Sequence, residues 1–158
     1  MNNHTRLVNA MRKTLGINGI QETPASGEFI LSALKTILFP GAVYGFAVSL
    51  SENEWRALFA EVQARGMSNL AKLESFKPIE GSLYPIYWGK DKYLGARPHQ
   101  HLRNPDGTGS IRLSTYSTLY GKPLVCASLV VTDNVSAEVA LKSAFPDLLK
   151  TSRDVYIT

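Results

Sequence analysis

Residues 124–131, Leu-Val-Cys-Ala-Ser-Leu-Val-Val, are apolar at odd and even positions alike, interrupted only by Ser128. A strand of this kind is covered on both faces, so the sheet that holds it must lie between other layers of chain. That requirement excludes an open sheet with one wet face. It points instead to helices packed around a small central sheet.

The rest of the pattern supplies those parts. Leu7, Val8, Met11 and Leu15 have helical spacing over residues 5–15, interrupted by Gly16 and Gly19. A second helix is expected from Gly27 to Ile37, capped by Ser26 and stopped before a turn at Pro40-Gly41. Residues 42–50 read as a strand with Tyr44, Phe46, Val48 and Leu50 on one side. Ser51-Glu52-Asn53-Glu54 is a capping box, and Trp55, Leu58, Phe59 and Val62 extend it into a helix that should end near Gly66. A shorter helix over 68–76, a strand over 82–90 and short helices over 95–102 and 110–119 follow, with a turn at Asn104-Pro105-Asp106-Gly107. After the double-sided strand, Asp133-Asn134 introduces a helix over 136–145 that should turn Ala137, Leu141 and Ala144, with Leu148 beyond it, toward the core. The expected architecture is α+β: a three-stranded sheet flanked by helices, with N-terminal helices over 1–40, a core over 41–149 and a helical insertion over 51–81, all in one domain of 158 residues.

Composition sets the outer limits. With 44% hydrophobic and 19% charged residues the chain is neither disordered nor membrane-embedded, and no apolar run approaches the ~18 residues of a transmembrane helix. The N-terminal residues lack the apolar core of a secretory signal, and the one cysteine, Cys126, sits in an apolar run that suits a buried thiol. A cytoplasmic setting is the resulting expectation. The net charge of +4 is concentrated in one stretch: residues 85–122 carry Lys90, Lys92, Arg97, Arg103, Arg112 and Lys122 against Asp91 and Asp106. A basic stretch of this kind favours a polyanion such as a nucleic-acid backbone, or is simply a solvated face.

Five residues within this frame form a candidate site. Tyr44 and Tyr87 lie on the first two strands, Arg97 and His101 are four apart, and Glu138 is on the last helix. On a helix, positions four apart face the same way, about 5–6 Å between Cβ atoms. Hydrolysis of a phosphodiester needs a cation to hold the phosphate, a base or its relay to activate water, and a metal to absorb developing charge. Arg97, a tyrosine acting with His101, and Glu138 can fill those roles.

The same residues resemble a known family. Ala42-Val43-Tyr44 and Ile86-Tyr87-Trp88-Gly89-Lys90 look like the two triplets of GIY-YIG nucleases, Arg97 follows Gly89 by eight positions, and His101 follows Arg97 by four. Glu138, with Pro146-Asp147-Leu148 after it, looks like that family's metal-ligand helix and its terminating proline. The resemblance implies an antiparallel sheet and a metal-dependent endonuclease that cuts DNA, with RNA as the other substrate to consider. It further implies Tyr44, Tyr87, Arg97, His101 and Glu138 as catalytic residues, and Mg²⁺ or Mn²⁺ held by Glu138. Lys90, Lys92, Arg103 and Arg112 are the expected nucleic-acid contacts, and sequence preference would come from the insertion, the 104–110 loop or the second subunit of a homodimer.

Each residue also has a plainer reading. Tyr44 shares its strand face with Phe46 and Val48, as a core tyrosine would, and Glu138 with Lys142 fits an ordinary exposed i,i+4 ion pair. Tyr84 rivals Tyr87, but a separation of three puts the two on opposite strand faces unless Pro85 introduces an irregularity. His99 and His101 lack a Cys or third His for zinc, and Gly107-Thr108-Gly109-Ser110 lacks the ending of a P-loop. The rival functions are a catalytically inactive nucleic-acid-binding domain of the same fold and a protein-interaction module.

Overall fold

β1 (Ile37–Ser49) is the middle strand of a three-stranded sheet, antiparallel to β2 (Leu83–Tyr93) on one side and to β3 (Leu124–Val130) on the other. The computed structural model describes residues 1–22, 37–93 and 113–151. The fold is the α+β class expected from the sequence, and both faces of the sheet are covered. Tyr44, Phe46 and Val48 join one apolar cluster, whereas Val43, Ala47, Ala127, Leu129 and Val131 join the other.

The second cluster is roofed by two helices. α1 (Asn3–Ile17) is capped by the Asn2 side chain and lays Leu7, Met11 and Leu15 on the sheet, each burial contributing about 1.5–3 kcal/mol. Beside it, α3 (Asn134–Ala144) starts at the side-chain cap of Asp133 and buries Ala137, Ala140 and Leu141. Ala144, expected in the core, is exposed, because Ala140 occupies the inward face together with Ala137 and Leu141. The first cluster is closed by α2 (Glu52–Ala64), whose capping box of Ser51 and Glu54 forms as read and whose Leu58, Phe59 and Val62 are buried.

Several elements differ from expectation. Pro40 and Gly41 do not form a turn but lie within β1, where the pairing with β2 slips between Ile37 and Ala42. A bulge of this kind tolerates a residue with no N–H, and Gly41 supplies a φ of 129°. The helix expected up to Ile37 therefore cannot include Ile37, and the rest of it, residues 27–36, lies outside the described residues. The helix expected over 68–76 is reduced to one 3₁₀ turn, Leu73–Ser75, with no side-chain cap. In place of a helix ending at Leu119, the described part holds two 3₁₀ turns, Leu113–Thr115 and Ser117–Leu119, the second clamped by the Glu61 carboxylate through the N–H and hydroxyl groups of Ser117 and Thr118. Residues 95–102 and the 104–107 turn lie outside the described residues. No helix among the described residues is long and apolar enough to cross a membrane.

Candidate active site

The tyrosine face is organised by a second irregularity. Phe46 pairs with Tyr87 and Ala47 with Pro85, so Ile86 is an extra residue on β2. The extra residue reverses the alternation, and Tyr84, three positions before Tyr87, comes to the same face and the same cluster. Pro85 thus introduces the irregularity that makes Tyr84 a neighbour of the site. It is however engaged elsewhere, stacked on Trp55 at 5.9 Å and against Phe76 at 4.9 Å between ring centroids.

Tyr44 and Tyr87 are side by side on adjacent strands, their ring centroids 6.2 Å apart at 45°. They are not equivalent. Tyr44 is 1% exposed, edge-on to Phe46, whereas Tyr87 is only partly buried. Space for the inner ring comes from Gly89, which pairs directly with Tyr44: a Cβ there would fall on the phenol. The last residue of the Tyr-x-Gly triplet is therefore set by close approach.

The outer edge of β2 is where the last helix delivers its side chains. After α3 the chain turns along that edge, and the Trp88 indole N–H donates to the Phe145 carbonyl at 2.7 Å. Trp88 N–H donates to the Asp147 carboxylate at 2.8 Å, and the Ile86 carbonyl accepts from both Leu148 N–H and Leu149 N–H at 3.1 Å. The bulge carbonyl is satisfied by this segment. Leu148 and Leu149 then enter the tyrosine-side cluster, while Leu141 and Phe145 belong to the other, so the chain crosses from one face to the other at the edge.

This crossing places Lys142 beside Tyr87, with two carboxylates around its ammonium. The Lys142 Nζ lies 5.1 Å from the centre of the Tyr87 ring, 3.8 Å from Glu138 Oε1 and 4.0 Å from Asp147 Oδ2. Glu138 is 23% and Lys142 35% exposed in the side chain, and Asp147 5%. The pair read as an ordinary exposed ion pair is thus half-sunk, with a buried second carboxylate 4.0 Å from the same ammonium. Burial pushes the Asp147 carboxyl above its ordinary value, held back by the Trp88 N–H, by Lys142 and by the Asn69 amide.

The other predicted residues divide. Arg97, His101, Arg103 and Arg112 lie outside the described residues, as does the Lys92 side chain. Lys90 is exposed but pairs with Val43, so it leaves β2 on the face opposite Tyr87. Cys126, expected to be buried, is only partly so, and burial still pushes its thiol up to about 11. Lys142 and Asp147 were missed as site residues, although the turn signal at Pro146 marks where the chain bends back. Asp91, on the same face as Gly89, is a further buried acid, 4% exposed.

No group of three His, Cys, Asp or Glu suited to a metal occurs among the described residues. Mg²⁺ does not require one, since it is commonly held by one or two carboxylates with water and substrate phosphate completing its shell. Glu138 offers one hard oxygen donor of that kind, its carboxylate facing the Lys142 ammonium at 3.8 Å.

Comparison with known proteins comes out empty. No family model, no curated protein and no solved structure matches the chain.

Proposed function

We propose that this protein is a metal-dependent endonuclease of the GIY-YIG type that hydrolyses phosphodiester bonds in DNA. What supports the reading is that Tyr44 and Tyr87 lie side by side on β1 and β2, and that Lys142 of α3, over the Tyr87 ring, pairs with Glu138. Tyr87, the partly exposed ring, faces the substrate, and Tyr44 is a positioning residue behind it. Arg97 holds the scissile phosphate through its guanidinium fork, and Tyr87 with His101 takes the proton of the attacking water as its oxygen bonds to phosphorus and the leaving oxygen departs. Glu138 would hold Mg²⁺ or Mn²⁺, which supplies stabilisation for the charge developing on the phosphate oxygens.

The test is a cleavage assay on supercoiled plasmid with Mg²⁺ or Mn²⁺, run beside filter binding. Nicking by the wild type that falls at least about a hundredfold in Glu138→Ala supports the reading. Binding without nicking, unchanged by Glu138→Ala, overturns it. One observation favours the second reading, an inactive nucleic-acid-binding domain: the carboxylate proposed for the metal already faces the Lys142 ammonium. That reading predicts the second outcome.

A further inference from the structure

Lys142 is held differently from every other ion-paired lysine or arginine among the described residues. Lys122 meets Glu54 at 2.6 Å, Arg12 meets Glu22 at 2.7 Å and Arg56 meets Glu52 at 3.2 Å, all within hydrogen-bond reach. Lys142 approaches two carboxylates and neither closely, at 3.8 and 4.0 Å. Its ammonium has three N–H donors and no acceptor capacity. The two anions fix its position by Coulomb attraction while leaving those donors without a short acceptor from either carboxylate. Two further features fix its place. The ammonium lies over the Tyr87 ring, and the buried Asp147, 4.0 Å away, is itself anchored by the Trp88 N–H and by Asn69.

We infer that Lys142 is a phosphate-binding residue of the tyrosine site, its ammonium contacting an oxygen of the nucleic-acid backbone beside Tyr87. The inference rests on the reading that the tyrosine face binds nucleic acid, but not on cleavage. A half-buried lysine set between an aromatic face and two carboxylates is a poor stabilising device, since a half-exposed ion pair with no short contact contributes little to stability. Its electrostatic use is directional: a phosphate oxygen that reaches the N–H donors at hydrogen-bond distance is attracted more strongly than the carboxylates, lying farther off, repel it. This residue would share with Arg97 the task of neutralising the backbone.

The experiment measures binding of a fluorescent DNA duplex by anisotropy in EDTA across a salt series, for wild type, Lys142→Ala, Lys142→Met and Lys142→Arg. Met keeps the apolar stem on Tyr87, so it replaces Ala where Ala fails to fold. Loss of one phosphate contact lowers the slope of log affinity against log salt by about 0.9 for a duplex. The expected result is that loss in Lys142→Met and a wild-type slope in Lys142→Arg, with Lys13→Ala on the exposed side of α1 as an unchanged control. An unchanged slope in Lys142→Met overturns the inference and leaves the nuclease reading intact. A wild type that binds but never nicks, with the expected slope loss in Lys142→Met, overturns the nuclease reading and supports the inference. A wild type that does not bind duplex at low salt overturns both.

Discussion

The Tyr44 ring lies across the α-carbon of Gly89, its directly paired neighbour on β2, and on the opposite face Trp88 lies across Gly45 in the same way. Neither glycine has a positive φ, so neither is needed for backbone freedom. Each makes room for the large ring of the strand beside it. Together the two pairs seat one aromatic side chain in each layer of the core at the same level of the sheet. Gly89→Ala should therefore overpack the tyrosine side and destabilise the fold by about 1–3 kcal/mol in urea unfolding. In a Tyr44→Leu background, where the ring is gone, the same substitution should cost markedly less, and a double-mutant cycle without coupling would show that the ring is not seated on Gly89.

Much of this arrangement was readable from residue pattern, and the failures have physical causes. The double-sided apolar run announced a covered strand, and the capping box at Ser51 and Glu54 announced α2, because both signals are local. Pro40-Gly41 misled because a proline inside a central strand is tolerated only at a bulge, and bulges are set by the partner strand. Residues 68–76 have helical composition, yet their backbone is used otherwise: Asn69 N–H donates to the Leu148 carbonyl and Lys150 N–H to that of Met67. Glu138 and Lys142 look the same in sequence whether solvated or half-sunk. What distinguishes the cases is the return of the chain after Pro146 to the edge of β2, a long-range event that periodicity does not record.

Asp147 gives that edge a pH signature. Its carboxyl is raised from the ordinary 3.8 chiefly by burial, against the opposing Trp88 N–H, Lys142 and Asn69. A raised value means that the folded state holds the proton more tightly than the unfolded chain. The corresponding stability is fully present below pH 3.8 and is lost as pH rises through the folded-state value. Asn imitates the protonated form, keeping an oxygen for Trp88 and giving up the longer 3.4 Å contact with Asn69. The stability of Asp147→Asn relative to wild type should accordingly be more favourable at pH 7 than at pH 4, as measured by urea unfolding. A difference that does not change with pH would refute the assignment.

Glu54 carries the opposite sign. Its carboxylate accepts from Lys122 Nζ at 2.6 Å and from Ser51 N–H at 2.8 Å, and the first of these, with the cap, holds it down at about 2 from 4.5. A lowered value contributes stability above pH 4.5 that is lost as pH falls through about 2. Glu54→Gln keeps an acceptor for the cap but removes the charge. Its deficit against wild type should be largest at neutral pH and close towards pH 2. Ser51→Ala, which removes the other half of the box, should cost about 1 kcal/mol at pH 7. Equal acid sensitivity in Glu54→Gln and wild type would rule out this role.

The unequal burial of the two tyrosines makes the sharpest kinetic prediction. A hydroxyl that takes part in proton transfer must meet water or substrate, and Tyr87 is partly exposed where Tyr44 is 1% exposed. Under the proposed function, Tyr87→Phe should lower kcat by about 100-fold or more while leaving the fold and DNA affinity near wild type, because only the hydroxyl is lost. Tyr44→Phe keeps the ring on Gly89 and so keeps Tyr87 in place; its loss in kcat should be at least tenfold smaller. It should instead register in urea unfolding, where losing a hydroxyl from a fully buried, packed site should cost about 0.5–3 kcal/mol. Nicking rates and unfolding curves on the same two variants decide the matter. Reversed effects, with Tyr44→Phe inactive and Tyr87→Phe active, would move the proton-transferring role to the inner ring and require the site to open before it acts.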